Sequence, residues 1–145
     1  MREILFRGKA INRDKGYHLT EYKNGEWVYG LVTKLYDEQF KSLPAEMTNT
    51  NGIRGIEIDY KTIGQYTGLN DKNGTKIFEG DILKFINSDN ETSYYDVVYL
   101  EADCRWIIRQ NGLYQYQDVL DKFVERYMTV AGNIYDSPEL LEESK

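Results

Sequence analysis

Short runs of alternating hydrophobic and polar positions cover most of the chain, and turn-forming residues separate them. Runs of this period are typical of β-strands with one buried face. The principal predicted strands span residues 2–11, 27–36, 53–59, 82–85, 93–100, 104–110, 113–117 and 128–136. The pattern gives eight or nine strands and little helix. It therefore predicts a mainly β protein built from antiparallel strands.

The glycine-rich segment GQYTGLNDKNGTKIFEGDILKF at residues 64–85 could be a ligand-binding loop or a hairpin. A phosphate-binding loop needs Gly, four residues and then Gly-Lys-Ser/Thr before a helix, whereas this segment leads into the strand pattern DILKF. Asn73 and Gly74 suit a type I turn followed by a left-handed glycine. We therefore predict a hairpin, followed by a bend after Gly80 at which Asp81 accepts a backbone hydrogen bond.

Helical signals occur at two places near the C-terminus. Hydrophobic residues recur at helical spacing in 118–127, with Asp118 as the predicted N-cap. Ser137 and Pro138 predict a C-terminal helical turn, with the serine as cap and the proline in the first turn. A polar, loop-like tract at 37–52 separates two lobes. We expect an N-terminal β-hairpin lobe at 1–59 and an SH3-type β-barrel at 60–145, which carries the short helix and the helical turn.

Aromatic residues make up 14% of the chain and favour strands. Five of them fall on neighbouring predicted strands and form the candidate binding face: Tyr95, Tyr99, Trp106, Tyr114 and Tyr116. Small β-barrels bind peptides or nucleic-acid strands through exposed rings. Alternate residues of a strand face opposite sides, so Tyr95 and Tyr99 can share one face. Packing in the core is the competing interpretation for most of these rings.

Acidic residues outnumber basic ones by 24 to 18, which gives a formal net charge of −6. The lysines and arginines are scattered singly, whereas nucleic-acid-binding modules usually show a basic excess or a basic stripe. Nucleic acid is therefore a disfavoured partner. The acidic cluster at 138–144 is interpreted as a solvated tail.

Residues suited to catalysis or metal binding are scarce. The single cysteine, Cys104, cannot form an internal disulfide, which favours a reducing cytosol, and we interpret it as a small buried hydrophobe. Histidine-dependent catalysis or a zinc site would have to use His18, the only histidine, which has no second ligand at short spacing. We expect no catalytic residue, metal or cofactor. The N-terminal residues also lack the apolar run of a signal peptide or membrane span.

Paired carboxylates are the one remaining candidate for chemistry. Glu57 with Asp59, and Glu79 with Asp81, are close in sequence, and acid pairs can hydrolyse glycosides or bind magnesium. Such pairs are common at this composition. An acid-dependent hydrolase is therefore the weakest hypothesis.

Four sequence blocks resemble the YopX family of small phage and prophage proteins. They are ILFRGKAI at 4–11, GEWVYGLV at 25–32, TIGQYTGLNDKNGTKIFEGDILK at 62–84 and VAGNIYDSPELL at 130–141, in the family's order. Ala131 departs from the isoleucine that the family often has. The resemblance implies a β-rich protein with an SH3-type C-terminal barrel, encoded by a phage or prophage and acting in a bacterial cytoplasm. It implies no reaction and no catalytic residue.

Three functional hypotheses follow. The first is a non-enzymatic interaction module that binds a protein partner or associates with itself. The second is single-stranded nucleic-acid binding through the barrel, which the acidic charge opposes. The third is acid-dependent hydrolysis. No membrane partner is expected.

Overall fold

The computed structural model describes residues 1–12, 22–35 and 44–142. The chain forms two compact units, residues 1–65 and 66–145. The lobes at 1–59 and 60–145 rest on composition and stay a prediction.

Eleven strands and one α-helix lie in these described ranges. In chain order the strands are β1 (Phe6–Lys9), β2 (Trp27–Lys34), β3 (Ala45–Asn49), β4 (Ile56–Ile58), β5 (Gly64–Asn70), β6 (Lys76–Phe78), β7 (Asp81–Ile86), β8 (Thr92–Leu100), β9 (Arg105–Gln110), β10 (Gln117–Val119) and β11 (Met128–Asn133). Helix α1 spans Lys122–Tyr127, and short 3-10 turns lie at Tyr60–Thr62, Glu101–Asp103, Tyr114–Tyr116 and Pro138–Leu141. The strand pairs are antiparallel. The predicted mainly β class, with one short helix and a C-terminal helical turn, is confirmed.

In the first unit the strands are hydrogen-bonded in the order β4-β3-β2-β1-β5, with β5 contributing Gly64 and Gln65. Residues of these strands, together with Ala10 just after β1, form a buried cluster: Ala10, Val28, Met47, Ile56 and Ile58. Strand β3 lies inside the tract that the polar composition predicts as loop. Its alternating burial, with Ala45, Met47 and Asn49 inside, explains the strand, and this period-two signal is present in AEMTN.

In the second unit a five-stranded sheet has the order β10-β9-β8-β7-β11. One face forms a core in which strand residues pack with helix and loop residues: Ile77, Leu83, Val97, Ile108, Leu120, Val124 and Met128. The C-terminal segment packs against the other face. A Cβ placed on Gly132 of β11 would lie 2.9 Å from Cβ of Ser137 and 3.3 Å from Cδ1 of Leu140. Both faces of the sheet are therefore covered, at least in part.

The predicted SH3-type barrel is not closed, because the edge strands β10 and β11 do not pair with each other. The outer edge of β11 meets the β5–β6 turn instead, where Lys72 N donates to Met128 O at 3.1 Å and Val130 N donates to the Asp71 carboxylate at 2.9 Å. At the other side of the sheet, β10 has only three residues before the chain turns into α1. The sheet stays open for these two reasons.

The predicted central hairpin is confirmed. Asp71 O accepts a hydrogen bond from Gly74 N at 3.0 Å, and Gly74 has a left-handed φ of 84°. The bend after Gly80 is also as predicted, because Asp81 accepts a hydrogen bond from Phe78 N at 2.7 Å.

Several predicted elements differ at their boundaries. The strands predicted at 53–59 and 128–136 are confined to Ile56–Ile58 and Met128–Asn133. The first strand is confined to Phe6–Lys9. The arm expected at 113–117 is wrong: Asn111 and Gly112 have left-handed φ values of 55° and 71°, so the chain rotates into a 3-10 turn before β10 begins. The cap of α1 is Asp121, which accepts from Phe123 N at 2.9 Å, because Asp118 is taken up by β10.

Candidate functional site

Three of the five predicted aromatic site residues lie on the same face of the second unit's sheet. Tyr99 is directly opposite Trp106 on β8 and β9, and their ring centroids are 5.0 Å apart at an interplanar angle of 66°. Tyr95 precedes Tyr99 by four residues, an even number that keeps both on one face. Tyr95 and Trp106 also pack against the hydrophobic core. The core interpretation therefore applies to these two rings, whereas Tyr99 is exposed.

The other two predicted residues, Tyr114 and Tyr116, lie in an exposed 3-10 turn after β9. The Arg109 guanidinium stacks over the Tyr114 ring at 4.4 Å. Arg109 on β9 is directly opposite Asp96 on β8, which directly follows Tyr95. Arg109 and Asp96 therefore face the other side of the sheet from Tyr95 and Tyr99. Tyr114 therefore contacts a side chain of the opposite sheet face, and that these five residues act as one binding face stays a prediction.

The half-buried Arg109 and the buried Asp96 form an ion pair with two hydrogen bonds. Arg109 Nε donates to Asp96 Oδ1 at 3.1 Å, and Arg109 Nη2 donates to Asp96 Oδ2. The hydrogen bond to Asp96 raises the pKa of Arg109, against the lowering effect of burial. A bidentate pair of this kind fixes the β8–β9 register, so its role is structural.

A cavity of the second unit forms a second candidate site. A cavity of about 290 Å³ opens between helix α1 and the core face of the sheet, and we call it the α1 cleft. Its lining combines strand, loop and helix residues: Phe85, Tyr95, Ile108, Asp118, Val119, Asp121, Phe123, Val124 and Met128. Tyr95 is thus the one predicted site residue that lines this cleft.

The short helix positions the exposed rings at the mouth of the cleft. The Asp121 cap starts α1 so that Val124 turns into the core, while Phe123 and Tyr127, four residues apart, turn outward. Their ring centroids are 4.7 Å apart, and Phe123 is also 5.5 Å from Phe85. Phe123 is 46% exposed and Tyr127 is 52% exposed. Three rings therefore line one continuous path along the helix.

Charges differ between the two ends of this path. Asp118 and Asp121 lie at the β10 end and are the charged residues among the lining of the cleft. Lys72 and Lys84 lie at the other end, where they line a smaller cavity together with Tyr127. The acidic end of the path therefore coincides with the apolar cavity.

One member of each carboxylate pair proposed for hydrolysis holds a turn. Asp59 accepts from Lys61 N at 3.1 Å and caps the 3-10 turn at Tyr60–Thr62. Asp81 is 1% exposed and holds the bend at Phe78. Glu57 is exposed on β4 and lies opposite Glu46. Two of the four carboxylates are therefore engaged in turns, and acid-dependent hydrolysis stays a prediction.

Within the described ranges, no group of three or more His, Cys, Asp or Glu residues could hold a metal ion. His18 lies outside those ranges. The interpretation of Cys104 as a buried hydrophobe is wrong. The residue is exposed and left-handed, with φ 51°, because it ends the 3-10 turn between β8 and β9 instead of starting β9.

Sequence reasoning missed Phe123 and Tyr127 as candidate binding residues. Their helical spacing is plain in the sequence, but it indicates only the buried face of a helix. The available signal was the number of large apolar residues in 118–127, since one face of a six-residue helix cannot bury all of them.

Comparison with known proteins agrees with this architecture. The sequence model of a family described as "YopX protein" matches residues 12–142. A crystal structure of protein EF1440 from Enterococcus faecalis is similar over 97% of this chain and 99% of that chain, with a TM-score of 0.56 and 24% sequence identity. At this identity the likeness shows the fold alone. No curated protein matches the chain. Among the described residues, no helix has both the length and the apolar character needed to cross a membrane.

Proposed function

The chain belongs to the YopX family, and from that premise we propose that it is a non-enzymatic interaction module that binds a protein partner through the α1 cleft. The family resemblance described above supports the further proposal that it is encoded by a phage or prophage and acts in the bacterial cytoplasm. The observation that carries the binding proposal is the apolar cavity lined by the half-exposed ring of Phe123, which Tyr127 contacts on α1.

The exposed apolar surface beside the cavity supports binding. Val119 and Phe123 are large exposed hydrophobic residues on its lining, and Tyr127 extends the surface along α1. Contiguous exposed apolar surface marks interaction sites. Aromatic side chains dominate the binding energy of protein interfaces because they bury much area at little entropic cost.

The size of the cavity indicates what occupies it. Pockets for drug-sized ligands commonly run from about 300 to 1,000 Å³, and the α1 cleft, at about 290 Å³, lies just below that range. It has room for one large side chain of a partner. Insertion of a single anchor residue is a common arrangement at the centre of protein interfaces.

Charge favours a basic protein over a second copy or a nucleic acid. The second unit holds 15 Asp and Glu residues against 8 Lys and Arg, a formal charge of −7. Two such units would repel each other, and a phosphate backbone would be repelled as well. We therefore propose that the partner is a basic protein.

The experiment begins with a pull-down from nuclease-treated bacterial lysate, in which the tagged chain captures its partner for identification by mass spectrometry. The captured protein is then purified, and its Kd is measured by calorimetry against the wild type, Phe123→Ala and Tyr116→Ala. Both substitutions remove an exposed ring, but Tyr116 is not part of the cleft lining.

We expect Phe123→Ala to raise Kd by about 30-fold or more, as for an interface hot spot, and Tyr116→Ala to change it less than about twofold. The reverse ranking would overturn the proposal in favour of the aromatic face predicted from sequence. Capture that disappears with nuclease, or a bait recovered only as a homo-oligomer in light scattering, would also overturn it.

A further inference from the structure

The structure carries one inference about the partner's chemistry, and it rests on the proposed function. We infer that the α1 cleft accepts a segment with a large apolar side chain next to a lysine or arginine. The apolar side chain enters the cavity, and the cation binds at Asp118 and Asp121. Recognition uses side-chain insertion and not the addition of a strand to the sheet.

Strand addition needs an edge with outward backbone N–H and C=O groups that can accept a partner. On β10, Leu120 N donates inward to Trp106 O at 3.1 Å, so Val119 N points outward by strand alternation. The Asp118 carboxylate already accepts from that outward Val119 N at 2.7 Å. The edge next to the cleft is therefore blocked by its own side chain.

The opposite edge of the sheet is occupied as well. On β11, Met128 O accepts from Lys72 N at 3.1 Å and Val130 N donates to Asp71 at 2.9 Å. With both edges of the second unit's sheet engaged, the cleft is the surface on which a partner segment can gain both apolar burial and charge pairing.

The floor of the cleft selects an apolar anchor. Side chains from three elements meet there, with Ile108 on β9, Val124 on α1 and Met128 on β11. All three are buried. A polar side chain inserted among them would lose its hydrogen bonds to water without gaining a partner, which disfavours its binding.

The carboxylates of Asp118 and Asp121 at the rim favour a cation beside the apolar anchor. Each rim carboxylate uses Oδ1 for a backbone N–H, that of Val119 for Asp118 and that of Phe123 for Asp121. An ionised carboxylate can accept several hydrogen bonds, so each can also bind a cationic side chain. A bidentate contact from arginine would be the strongest.

Nearby basic residues determine on which side of the apolar anchor the partner's cation lies. Lys122 and Arg126 line a neighbouring depression that shares Asp121 and Phe123 with the cleft and reaches Tyr127. Lys72 and Lys84 lie beyond Tyr127. A cation at the Tyr127 end of the path would meet these lysines. The partner's cation therefore sits on the β10 side of its apolar anchor.

The test uses four blocked tetrapeptides and ¹⁵N-HSQC titration of the whole chain. The probes carry Trp-Lys, Trp-Gln, Trp-Glu or Ala-Lys between two serines, so anchor and charge vary separately. We expect the Trp-Lys peptide to bind most tightly, by about tenfold over Trp-Glu. Ala-Lys should not bind detectably. The largest shifts should fall on Val119, Phe123 and Val124.

Charge-neutral variants provide matched controls that leave the fold intact. Asn at position 118 still accepts from Val119 N, and Asn at position 121 is as good an N-cap as Asp. The double variant Asp118→Asn/Asp121→Asn should weaken Trp-Lys binding about tenfold, and each single change about threefold to fivefold. Trp-Gln binding should not change. Glu101 is an exposed carboxylate at the far turn of the β8–β9 hairpin, and Glu101→Gln should have no effect.

Several results would overturn the inference: equal affinity for Trp-Lys and Trp-Glu, no binding of any peptide at millimolar concentration, or new exchange protection along Gln117–Val119, which would indicate strand addition. Its failure is distinguishable from failure of the proposed function. If Phe123→Ala weakens binding of the captured partner while the charge variants do not, the proposed function is supported and the inferred charge selection is contradicted. If Phe123→Ala has no effect on the partner, the proposed function falls.

Discussion

The carboxylate of Asp71 accepts a hydrogen bond from the backbone N–H of Val130, 59 positions away in the chain, at 2.9 Å. The other carboxylate oxygen accepts from Asn73 N at 2.8 Å and from Thr75 N at 2.9 Å. One buried side chain therefore shapes the turn between β5 and β6 and joins that turn to the edge of β11. This hydrogen bond occupies the edge of β11 at which a closed barrel would require pairing with another strand.

We predict that Asp71→Ala destabilises the protein by about 2–4 kcal/mol, because three backbone N–H groups lose a charged acceptor. Asn87 provides a matched control, since its Oδ1 accepts from Asp89 N and Glu91 N at 2.9 Å in an exposed turn of the same kind. Asn87→Ala should cost about 0.5–1 kcal/mol. Urea unfolding measures both. Equal costs for the two variants would show that the link to Val130 contributes nothing.

Removal of Arg109 should leave an unpaired carboxylate at Asp96, whose side chain is only 3% exposed. We expect Arg109→Met to destabilise the protein by about 3 kcal/mol. The double variant Asp96→Val/Arg109→Met should recover a large part of that loss, since no buried charge then remains. A double variant no more stable than the single one would contradict this account.

The pH dependence of the same pair follows from the raised pKa of Arg109. A base whose pKa is raised by folding contributes stability below its unfolded pKa and loses it only as pH rises through the folded value. Both values lie far above neutrality. The stability difference between wild type and Arg109→Met should therefore stay constant from about pH 6 to pH 9, as measured by urea unfolding at several pH values.

A close approach of two strands makes Gly30 irreplaceable in the first unit. A Cβ at this position would clash with the backbone carbonyl oxygen of Thr48 on β3. We expect Gly30→Ala to cost about 3 kcal/mol or more, because the strand must move. Gly74 has a positive φ, but a Cβ added there would meet nothing within 4 Å, so Gly74→Ala should cost only about 1–2 kcal/mol. Thermal unfolding gives the ranking, and a larger loss for Gly74→Ala would contradict it.

Cys104 should react with a thiol reagent such as DTNB in the native protein, because it is exposed in the β8–β9 turn. We expect the native rate to be within about tenfold of the rate in urea, since accessibility does not limit the reaction. Cys104→Ser, which has no thiol, serves as the control for background reaction with the reagent. A thiol that reacts only after unfolding would restore the buried interpretation.

Local signals in the sequence predicted much of the strand pattern. The turn at Asn73 and Gly74, the bend at Asp81 and the hairpin of β8 and β9 depend on residues within a few positions of each other. The prediction failed where a neighbouring element competed for the same residues. Asp118 has the chemistry of a helix cap, yet β9 draws it into the sheet, and Asp121 caps the helix instead.

The candidate site was less predictable than the fold. Tyr95 is a predicted site residue and does line the cleft, but the cleft also needs residues from β7, β9, α1 and β11. Their separation along the chain hides this grouping. Phe123 has the sequence signal of a core residue, and only the short length of α1 leaves it half exposed.

The sequence by itself determined the β class, the family and the turns, because alternation, glycine conformation and side-chain capping act over short stretches of chain. Tertiary structure alone decided that the second sheet stays open and that a cleft forms beneath α1. Each of these outcomes depends on which distant segment packs against a strand edge or a sheet face. At the edge of β11 that segment is the turn of Asp71, whose carboxylate binds Val130 N and so takes the place of another strand.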